Sequence, residues 1–314
     1  MDRISNPVFK QARISKDRNF DAGKTDYYLP YKKPFHFEQL LDFMRVRAIT
    51  GIELISENEY ARTFRISGSY GYFTVRNDEE KSALILRIHS SDIRCYMEIY
   101  DRVRIMFDLD RDFSRIRKMF LDDPVLKRGM FRGEVPRMPV AFNSFEFAVR
   151  AVLGQQISVK AATTLAGRIA AKTDIRTEEY FPSGLDFFFP DTEELKSADF
   201  SDVGITKTRY QTLQNMMDNI LAGELLFSSN QTFDQFHKNF ISIKGIGDWT
   251  VNYVAMRGLG MMDAFPVADL GILKALSTGK KPLSVKAIEK IAEKWKPYRS
   301  YAALCLWNLD KKEA

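Results

Sequence analysis

A glycine-containing turn in the last third of the chain has the residue types that bind an anion. Residues 232–274 read TFDQFHKNFISIKGIGDWTVNYVAMRGLGMMDAFPVADLGILK, and the KGIG tetrapeptide separates two helical patterns. Glycine lacks a Cβ atom and tolerates positive φ, so backbone N–H groups around Gly245 and Gly247 can approach an anion closely. The dipole of the following helix and the charge of Lys244 would stabilise that anion, for example a DNA phosphate. An ordinary tight turn between two helices is the alternative interpretation.

An aspartate follows this turn at a position where its carboxylate could serve a site. Asp269 stands at the head of the apolar segment VADLGILKAL, just after a proline that breaks the preceding helix. Its ordinary role would be to cap the first turn of a helix, which aspartate commonly does. Its occurrence together with the hairpin and with aromatic residues at Trp249, Tyr253 and Trp307 favours a functional role.

The distribution of charge suits a polyanionic partner. The chain has 314 residues and a formal net charge of +6. Residues 1–50 hold 10 Lys and Arg against 6 Asp and Glu, and residues 274–314 hold 10 against 4. Positive charge near both ends is what binding of nucleic acid would need, although many basic proteins bind none.

The content of cysteine and histidine argues against a metal centre or a disulfide framework. The two cysteines are Cys95 and Cys305, and the three histidines, His36, His89 and His237, share no ligand spacing. They are too few for a four-cysteine zinc site or an iron–sulfur cluster. The opening MDRISNPVFK lacks the apolar core of a signal peptide, and no apolar run approaches the ~20 residues that span a bilayer. We therefore expect a cytoplasmic protein without a metal or a membrane partner.

Hydrophobic periodicity predicts a mostly helical α+β fold with its antiparallel sheet in the first third of the chain. Apolar residues recur with helical spacing from Phe37 to Val46, and segments rich in β-branched and aromatic residues follow. Residues 1–30 show no clear period, so we expect a loosely held extension there, and 122–142 are expected to be irregular. The predicted strands are 52–57, 60–66, 70–77 and 84–90, and the predicted helices lie near 92–107, 111–121, 143–172, 192–199, 206–222, 233–240 and 248–258.

Three short motifs carry a resemblance to a known family. The motifs LGQQISV at 153–159, KGIGDWT at 244–250 and WKPYRSYA at 295–302 resemble those of the helix-hairpin-helix base-excision DNA glycosylases, in particular the bacterial DNA-3-methyladenine glycosylase II family. The similarity extends from about Tyr31 to Trp307, which is nearly the whole chain.

The resemblance implies the helix-hairpin-helix glycosylase fold, with three domains after an N-terminal extension. One of these domains combines two separate segments of the chain, which composition and periodicity do not reveal. The implied divisions are an extension over 1–30, a sheet and helix domain over 31–91, a central helical domain over 143–266 that ends in the hairpin, and a helical domain built from 92–142 and 267–314.

The resemblance also assigns chemistry to two residues. Asp269 matches the catalytic carboxylate of the superfamily, which faces the positive charge that develops on deoxyribose as an N-glycosidic bond breaks. Electrostatic stabilisation of that charge and general-base activation of water both remain open as its role. Trp249 stands where members that also nick DNA carry a nucleophilic lysine. An indole cannot form a Schiff base, so we expect base release without strand cleavage.

A base pocket is implied by aromatic residues, because their ring faces suit electron-poor alkylated purines. Trp249, Tyr253 and Trp307 match the family's pocket residues, and Phe43 is assigned by its register in the first helix. Ordinary core packing is the alternative for each of them. No cofactor is expected, although the carbonyls of the turn 243–248 could hold a monovalent cation.

Contacts with DNA are implied for the hairpin and for one glutamine. Gln156 matches the side chain that the family inserts into the minor groove, where the best-known relative has leucine. An amide that caps or joins helices is the alternative. The residues implied in DNA binding are Lys244, Gly245, Gly247, Thr250 and Gln156.

The function predicted from these residues is that of a monofunctional DNA glycosylase in base-excision repair. It would flip alkylated purines of the 3-methyladenine and 7-methylguanine type out of duplex DNA and hydrolyse their N-glycosidic bonds, acting as a monomer on the nucleoid DNA of a bacterium. The alternatives are an oxidised-purine glycosylase of the same fold and a non-catalytic helix-hairpin-helix DNA-binding protein. Asp269 argues against the second alternative, because a pure binder needs no carboxylate facing a polyanion.

Overall fold

A five-stranded antiparallel sheet and thirteen α-helices form the protein in a computed structural model that describes residues 24–228, 230–277 and 283–313. This architecture confirms the predicted α+β class. The elements group into two compact units. The first holds the described residues up to Ile105 together with Ser158–Val203, and the second holds Met106–Ile157 together with the described residues from Gly204 onward. The division into an extension and three domains stays a prediction.

The sheet belongs to the first unit, and its strand order is β1-β5-β4-β3-β2, with every neighbouring pair antiparallel. A two-residue turn joins β3 to β4, and both of its residues, Ser67 and Gly68, have positive φ, as the twist of a tight hairpin requires. The strands are β1 (Lys24–Pro30), β2 (Glu53–Ile55), β3 (Glu59–Ile66), β4 (Ser69–Asp78) and β5 (Ala83–His89).

The sheet begins earlier in the chain than its sequence pattern predicts. Residues 24–30 were assigned to the extension, yet they form β1, which pairs with β5 along its whole length. Leu29 is fully buried in this strand, whereas Tyr27 and Tyr28 are both partly exposed, so the strand shows little alternation. Its partner strand lies far along the chain, and Asp26 also pairs with Arg87 of β5 at 2.6 Å. Residues 1–23 lie outside the described part of the chain.

Most helices lie where periodicity predicts them, and many begin at a side-chain cap. A short helix, α4, interrupts the stretch 122–142 that was expected to be irregular. Its N-cap is Asp123, and Pro124 occupies its first turn, where a missing N–H costs nothing. The helices are α1 (Phe37–Arg45), α2 (Tyr96–Met106), α3 (Phe113–Leu121), α4 (Pro124–Gly129), α5 (Ser144–Leu153), α6 (Val159–Thr173), α7 (Thr192–Ser197), α8 (Lys207–Leu221), α9 (Phe233–Ile241), α10 (Asp248–Arg257), α11 (Leu270–Leu276), α12 (Val285–Ala292) and α13 (Arg299–Glu313).

Helix α13 is packed closely in the second unit. Gly129, at the end of α4, approaches it so nearly that a Cβ atom there would lie 2.0 Å from the carbonyl oxygen of Cys305. Asn308 of α13 donates to the Gly129 carbonyl at 3.1 Å. Tyr301, which is fully buried, anchors the same helix near its start. These contacts fix the helix that carries Trp307.

A buried carboxyl group lies beside the anchored end of α13. Asp108 is 8% exposed, and its Oδ2 accepts from the Met138 N–H at 3.1 Å and from the Tyr301 hydroxyl at 2.9 Å. The guanidinium of Arg111 lies 3.8 Å from its other oxygen. Burial raises the pKa of Asp108 to about 6, because the ionised form loses its hydration, and the hydrogen bonds and the guanidinium oppose that effect only in part.

Replacement of Asp108 by asparagine should change how stability depends on pH. The folded state binds the Asp108 proton more tightly than the unfolded chain does, so this group contributes stability below its ordinary pKa of 3.8 and loses that contribution as pH rises to about 6. The unfolding free energy of the wild type relative to Asp108→Asn should therefore fall by roughly 2 kcal/mol between pH 4 and pH 7. Urea titrations of both proteins at the two pH values measure this difference. If the two proteins differed in unfolding free energy by the same amount at both pH values, the raised pKa of Asp108 would be contradicted.

Candidate active site

Asp269 lies at the junction between a loop and α11, and it caps that helix. Its Oδ1 accepts from the backbone N–H groups of Gly271 at 2.9 Å and Ile272 at 3.3 Å. Its own N–H donates to the carbonyl of Pro266 at 2.9 Å. The capping role that the sequence offers as the ordinary interpretation is therefore present, and it orients the carboxylate.

Two tryptophans donate hydrogen bonds to the same carboxylate. The indole N–H of Trp249, in the first turn of α10, meets Oδ2 of Asp269 at 2.9 Å, and that of Trp307, on α13, meets Oδ1 at 2.7 Å. The carboxylate thus receives four N–H donors from three helices, three of them on Oδ1 and one on Oδ2. Since an ionised carboxylate only accepts, it satisfies all four, and Oδ2 keeps the greater capacity to accept a further partner.

The rings around this carboxylate form a stacked cluster. Trp249 stacks on Tyr253 with ring centroids 4.8 Å apart and planes 19° from parallel. Tyr253 meets Trp307 edge to face at 6.3 Å, and Phe147 of α5 tilts against Tyr253 at 5.3 Å. Trp249, Tyr253 and Trp307 are each partly exposed, whereas the third tryptophan, Trp295, is 1% exposed. The structure thus brings three of the four proposed pocket residues together with Asp269.

Polar side chains fix the loop that leads into Asp269, and the sequence patterns did not single them out. The Oδ1 of Asn252, on α10, accepts from the N–H of Phe265 at 2.9 Å. The hydroxyl oxygen of Ser300 lies within hydrogen-bond distance of two carbonyls of the loop, at 2.7 and 2.8 Å, and its single proton is available to either of them. Arg299 makes a bidentate pair with Asp263, both contacts at 2.8 Å. Arg299 and Ser300 belong to the WKPYRSYA motif, and this motif is the sequence feature from which their role could have been predicted.

The helix-hairpin-helix turn runs from α9 to α10, and Lys244, Gly245 and Gly247 are all exposed. Gly245 has φ of +97°, and a Cβ atom there would lie 2.0 Å from the hydroxyl oxygen of the buried Thr212 on α8. Gly247 does not use the positive φ that glycine allows: it has φ of −105° as the N-cap of α10 and meets open space where a Cβ would stand. Gly245 is therefore required by the fold, whereas the described neighbours of Gly247 leave room for a side chain.

Thr250 and Gln156 occupy different environments, although both were implied in DNA binding. Thr250 is 2% exposed, and its hydroxyl oxygen accepts from the Gln155 side chain at 3.1 Å, so its side chain is directed into the protein. Its backbone N–H lies in the first turn of α10, where no intrahelical acceptor exists. Gln156 is exposed in the turn between α5 and α6, with φ of +59°. Its insertion into a groove stays a prediction.

Phe43 lies on α1, which belongs to the first compact unit. Its ring is partly exposed and lies under the guanidinium of Arg47, 3.7 Å from the ring centroid. Sequence register was the whole basis for its assignment, and its place in a base pocket stays a prediction.

Metal ligands are not grouped in the described residues, which contain no set of three or more His, Cys, Asp or Glu side chains placed around an ion. Cys95 and Cys305 are buried free thiols. Two carbonyls of the hairpin turn accept from side chains, Gly245 from Gln155 and Lys244 from Asn215. A cation on the other carbonyls of the turn stays a prediction. Within the same described residues, no helix combines the length and apolarity needed to cross a bilayer.

Known proteins resemble this chain over most of its length. Residues 27–143 match the family described as the AlkA N-terminal domain. A probable bifunctional transcriptional activator/DNA repair enzyme AlkA of Mycobacterium tuberculosis is 32% identical over 91% of this chain, which spans 57% of that relative's length. DNA-3-methyladenine glycosylase 2 of Escherichia coli is 28% identical over 90% of this chain and 97% of its own. The DNA-3-methyladenine glycosylase of Bacillus subtilis is 30% identical over 68% of this chain and 72% of its own.

The fold also matches a solved glycosylase structure. The 3-methyladenine DNA-glycosylase from Archaeoglobus fulgidus superposes with a TM-score of 0.74 at 18% identity, covering 91% of this chain and 99% of its own. This match and the described elements confirm the predicted glycosylase fold.

Alanine substitutions at the two glycines of the hairpin should separate their roles. Gly245→Ala should lower the unfolding free energy by about 2–4 kcal/mol, because it combines positive φ with a clash against Thr212, a short side chain held on a helix. Gly247→Ala should cost about 1 kcal/mol or less, which is the loss of a favourable N-cap residue. Urea denaturation measures both variants. Equal losses would contradict this difference.

Proposed function

Because the chain belongs to the DNA-3-methyladenine glycosylase family, we propose that it hydrolyses the N-glycosidic bond of alkylated purines in duplex DNA. The observation that carries the proposal is the Asp269 carboxylate, held by two indole N–H groups at the edge of a partly exposed aromatic cluster. A charged group with partly exposed rings beside it suits a reaction on an aromatic base attached to a sugar. Release of such a base begins repair by base excision.

Asp269 acts in this proposal as the electrostatic stabiliser of the sugar. Departure of the base leaves positive charge on the deoxyribose, and a fixed carboxylate stabilises that charge without reorganising during the step. Four donors already fix its orientation, and Oδ2, with the single donor Trp249, is the oxygen that can face the sugar or a water molecule. Since the carboxylate is held in place by backbone and indole groups alike, stabilisation fits the geometry better than proton abstraction does.

The aromatic rings select the base in this proposal. The indole N–H edges of Trp249 and Trp307 are directed at Asp269, and the guanidinium of Arg257 lies over the ring of Trp307, 5.4 Å from its centroid. One face of Trp249 is covered by Tyr253, which leaves its other face for a ligand. Alkylation makes 3-methyladenine and 7-methylguanine electron-poor or cationic, and attraction to an indole face contributes about 0.5–2 kcal/mol. An undamaged purine gains less from the same faces.

The enzyme of this proposal releases the base and leaves the strand intact. Covalent lyase chemistry needs an amine at the sugar, and the position after the hairpin holds Trp249, whose N–H is bonded to Asp269. Lys244 precedes the turn, on the exposed side of the hairpin. Water is therefore the nucleophile, and an abasic site is the product.

Duplex DNA is the proposed partner, and the protein acts on it as a monomer in the bacterial cytoplasm. The exposed Lys244 and Gly247 offer a charge and unhindered backbone N–H groups to a phosphate, ahead of the positive end of α10. Gln156, exposed in a turn, is placed to fill the space of a flipped nucleotide. Together they hold the DNA in a position from which a damaged base can reach the aromatic cluster.

Replacement of Asp269 by asparagine should abolish most of the activity while the fold persists. Asparagine caps helices as well as aspartate does but carries no charge, so single-turnover release of 3-methyladenine should fall by about 100-fold or more. The measurement uses methylated duplex DNA, and alkali then reveals the abasic sites as breaks. Affinity for undamaged duplex serves as the control and should stay within about twofold, because phosphate binding does not involve Asp269.

Three outcomes would contradict the proposal. Wild-type rates in Asp269→Asn would remove the carboxylate from the mechanism. Breaks that form before alkali would show lyase chemistry, and release of 8-oxoguanine in preference to methylated purines would make the protein an oxidised-purine glycosylase.

A tryptophan-to-phenylalanine pair tests whether the indole N–H groups orient the carboxylate. Trp307→Phe keeps an aromatic face but removes a hydrogen bond to Asp269, and single-turnover release should fall by about tenfold. Trp295→Phe is the matched control, because its indole N–H donates to another carboxylate, Asp123, at 2.8 Å in the buried core. The control should lose stability and keep its release rate below its melting temperature. Equal rate losses in both variants would assign the effect to general loosening.

A further inference from the structure

Gln155 joins the turn between α5 and α6 to the hairpin. Its side-chain Nε2 donates to the carbonyl of Gly245 at 3.0 Å and to the hydroxyl oxygen of Thr250 at 3.1 Å. An amide nitrogen has two N–H groups, so these two bonds use both of them. Because the Gly245 carbonyl only accepts, the orientation of the amide is determined by its partners. We call this pair of bonds the Gln155 bridge.

Arg209 of α8 holds the same turn from its other side. Its guanidinium donates to the backbone carbonyl of Gln155. The side chain of Gln155 is therefore fixed to the hairpin while its backbone is fixed to α8. Hydrogen bonds thus hold Gln155 at both its side chain and its backbone.

Helix α8 also supports the hairpin, so both elements rest on one face of one helix. Thr212 packs against Gly245, and the Asn215 side chain donates to the carbonyl of Lys244 at 3.4 Å. Arg209, Thr212 and Asn215 follow one another at intervals of three residues, which places them along one face of a helix. Helix α8 thereby holds the turn and the hairpin in a fixed position relative to each other.

Gln156, the next residue, depends on this arrangement for its position. It is exposed and has φ of +59°. Residues other than glycine keep this left-handed backbone conformation when the surrounding structure fixes it. The bonds on Gln155 are such constraints, since they immobilise the residue directly before it. Loss of the Gln155 bridge would let the exposed turn move relative to the hairpin.

We propose that Gln155 is a positioning residue that sets the distance between the exposed Gln156 and the phosphate-binding hairpin, with Arg209 fixing it from α8. The inference rests on the proposed function, because it assigns the two elements to one DNA duplex. For a nucleotide to be extruded, the hairpin must hold the DNA backbone while Gln156 enters the groove at a fixed distance from it. A loosened turn therefore affects extrusion and base release, whereas phosphate binding by the hairpin persists.

Gln155→Leu tests this, since leucine has similar bulk and no amide. Single-turnover release from methylated duplex should fall by about tenfold, because misplacement by a fraction of an ångström to one ångström has effects of this size. The fluorescence rise of 2-aminopurine placed beside the lesion, which reports extrusion, should fall with it. Affinity for undamaged duplex should stay within about twofold. Gln231→Leu is the matched control, because the Gln231 amide also donates two hydrogen bonds, to the carbonyls of Leu226 at 2.7 Å and Ser228 at 3.0 Å, in the loop between α8 and α9.

A double-mutant cycle decides whether Gln155 acts through Gln156. If it does, Gln155→Leu combined with Gln156→Ala should release base no more slowly than Gln156→Ala alone, because the first change then has nothing left to misplace. Additive losses would overturn the proposal, as would an unchanged rate or an equal loss of affinity for undamaged duplex. Arg209→Met gives a second route if Gln155→Leu unfolds, and it should show the same selective loss.

Measuring base release by the wild type distinguishes failure of this inference from failure of the proposed function. A wild-type protein that releases no alkylated base overturns both. An active wild type whose Gln155 and Arg209 variants show no selective loss overturns the positioning role alone.

Discussion

The pairing of one carboxylate with two indole N–H groups is the interaction on which the site depends. Asp269 caps α11, Trp249 opens α10 and Trp307 lies on α13, so the three helices meet at a single charged group. A buried or half-buried charge is stable only when its lone pairs are satisfied, and neutral indole donors do this without cancelling the charge. The same side chains supply the ring faces of the cluster. Charge and aromatic surface are thus provided by one set of residues.

The proposed DNA-binding turn and the carboxylate are connected through α10. Gly247 is the N-cap of this helix, and Trp249 follows two residues later. Further along, Asn252 holds the loop that leads to Asp269, while α13 holds the same loop through Ser300. A phosphate at the start of α10, as proposed, would therefore lie at a fixed distance from the Asp269 carboxylate. Rigid elements of this kind provide the positioning that catalysis needs.

Local patterns predicted much of the fold and named the residues at the centre of the site. Periodicity predicts strands and helices because it reflects which side chains are buried. Asp269 could be named because it stands at a recognisable helix start. Other features depend on partners distant in sequence: the indole bonds join residues 20 and 38 positions apart, and β1 pairs with β5. The inward direction of Thr250 follows from its hydrogen bond with Gln155, 95 positions earlier, which spacing along the chain does not encode.

The chain order of the site has a consequence for its synthesis. The hairpin, α10 and Asp269 leave the ribosome well before Trp307, since α13 follows them in the sequence. A chain that ended before α13 would contain the proposed phosphate-binding turn but only one of the two indoles that hold the carboxylate. The carboxylate therefore receives its full set of donors only once the last helix has been made and has packed in place.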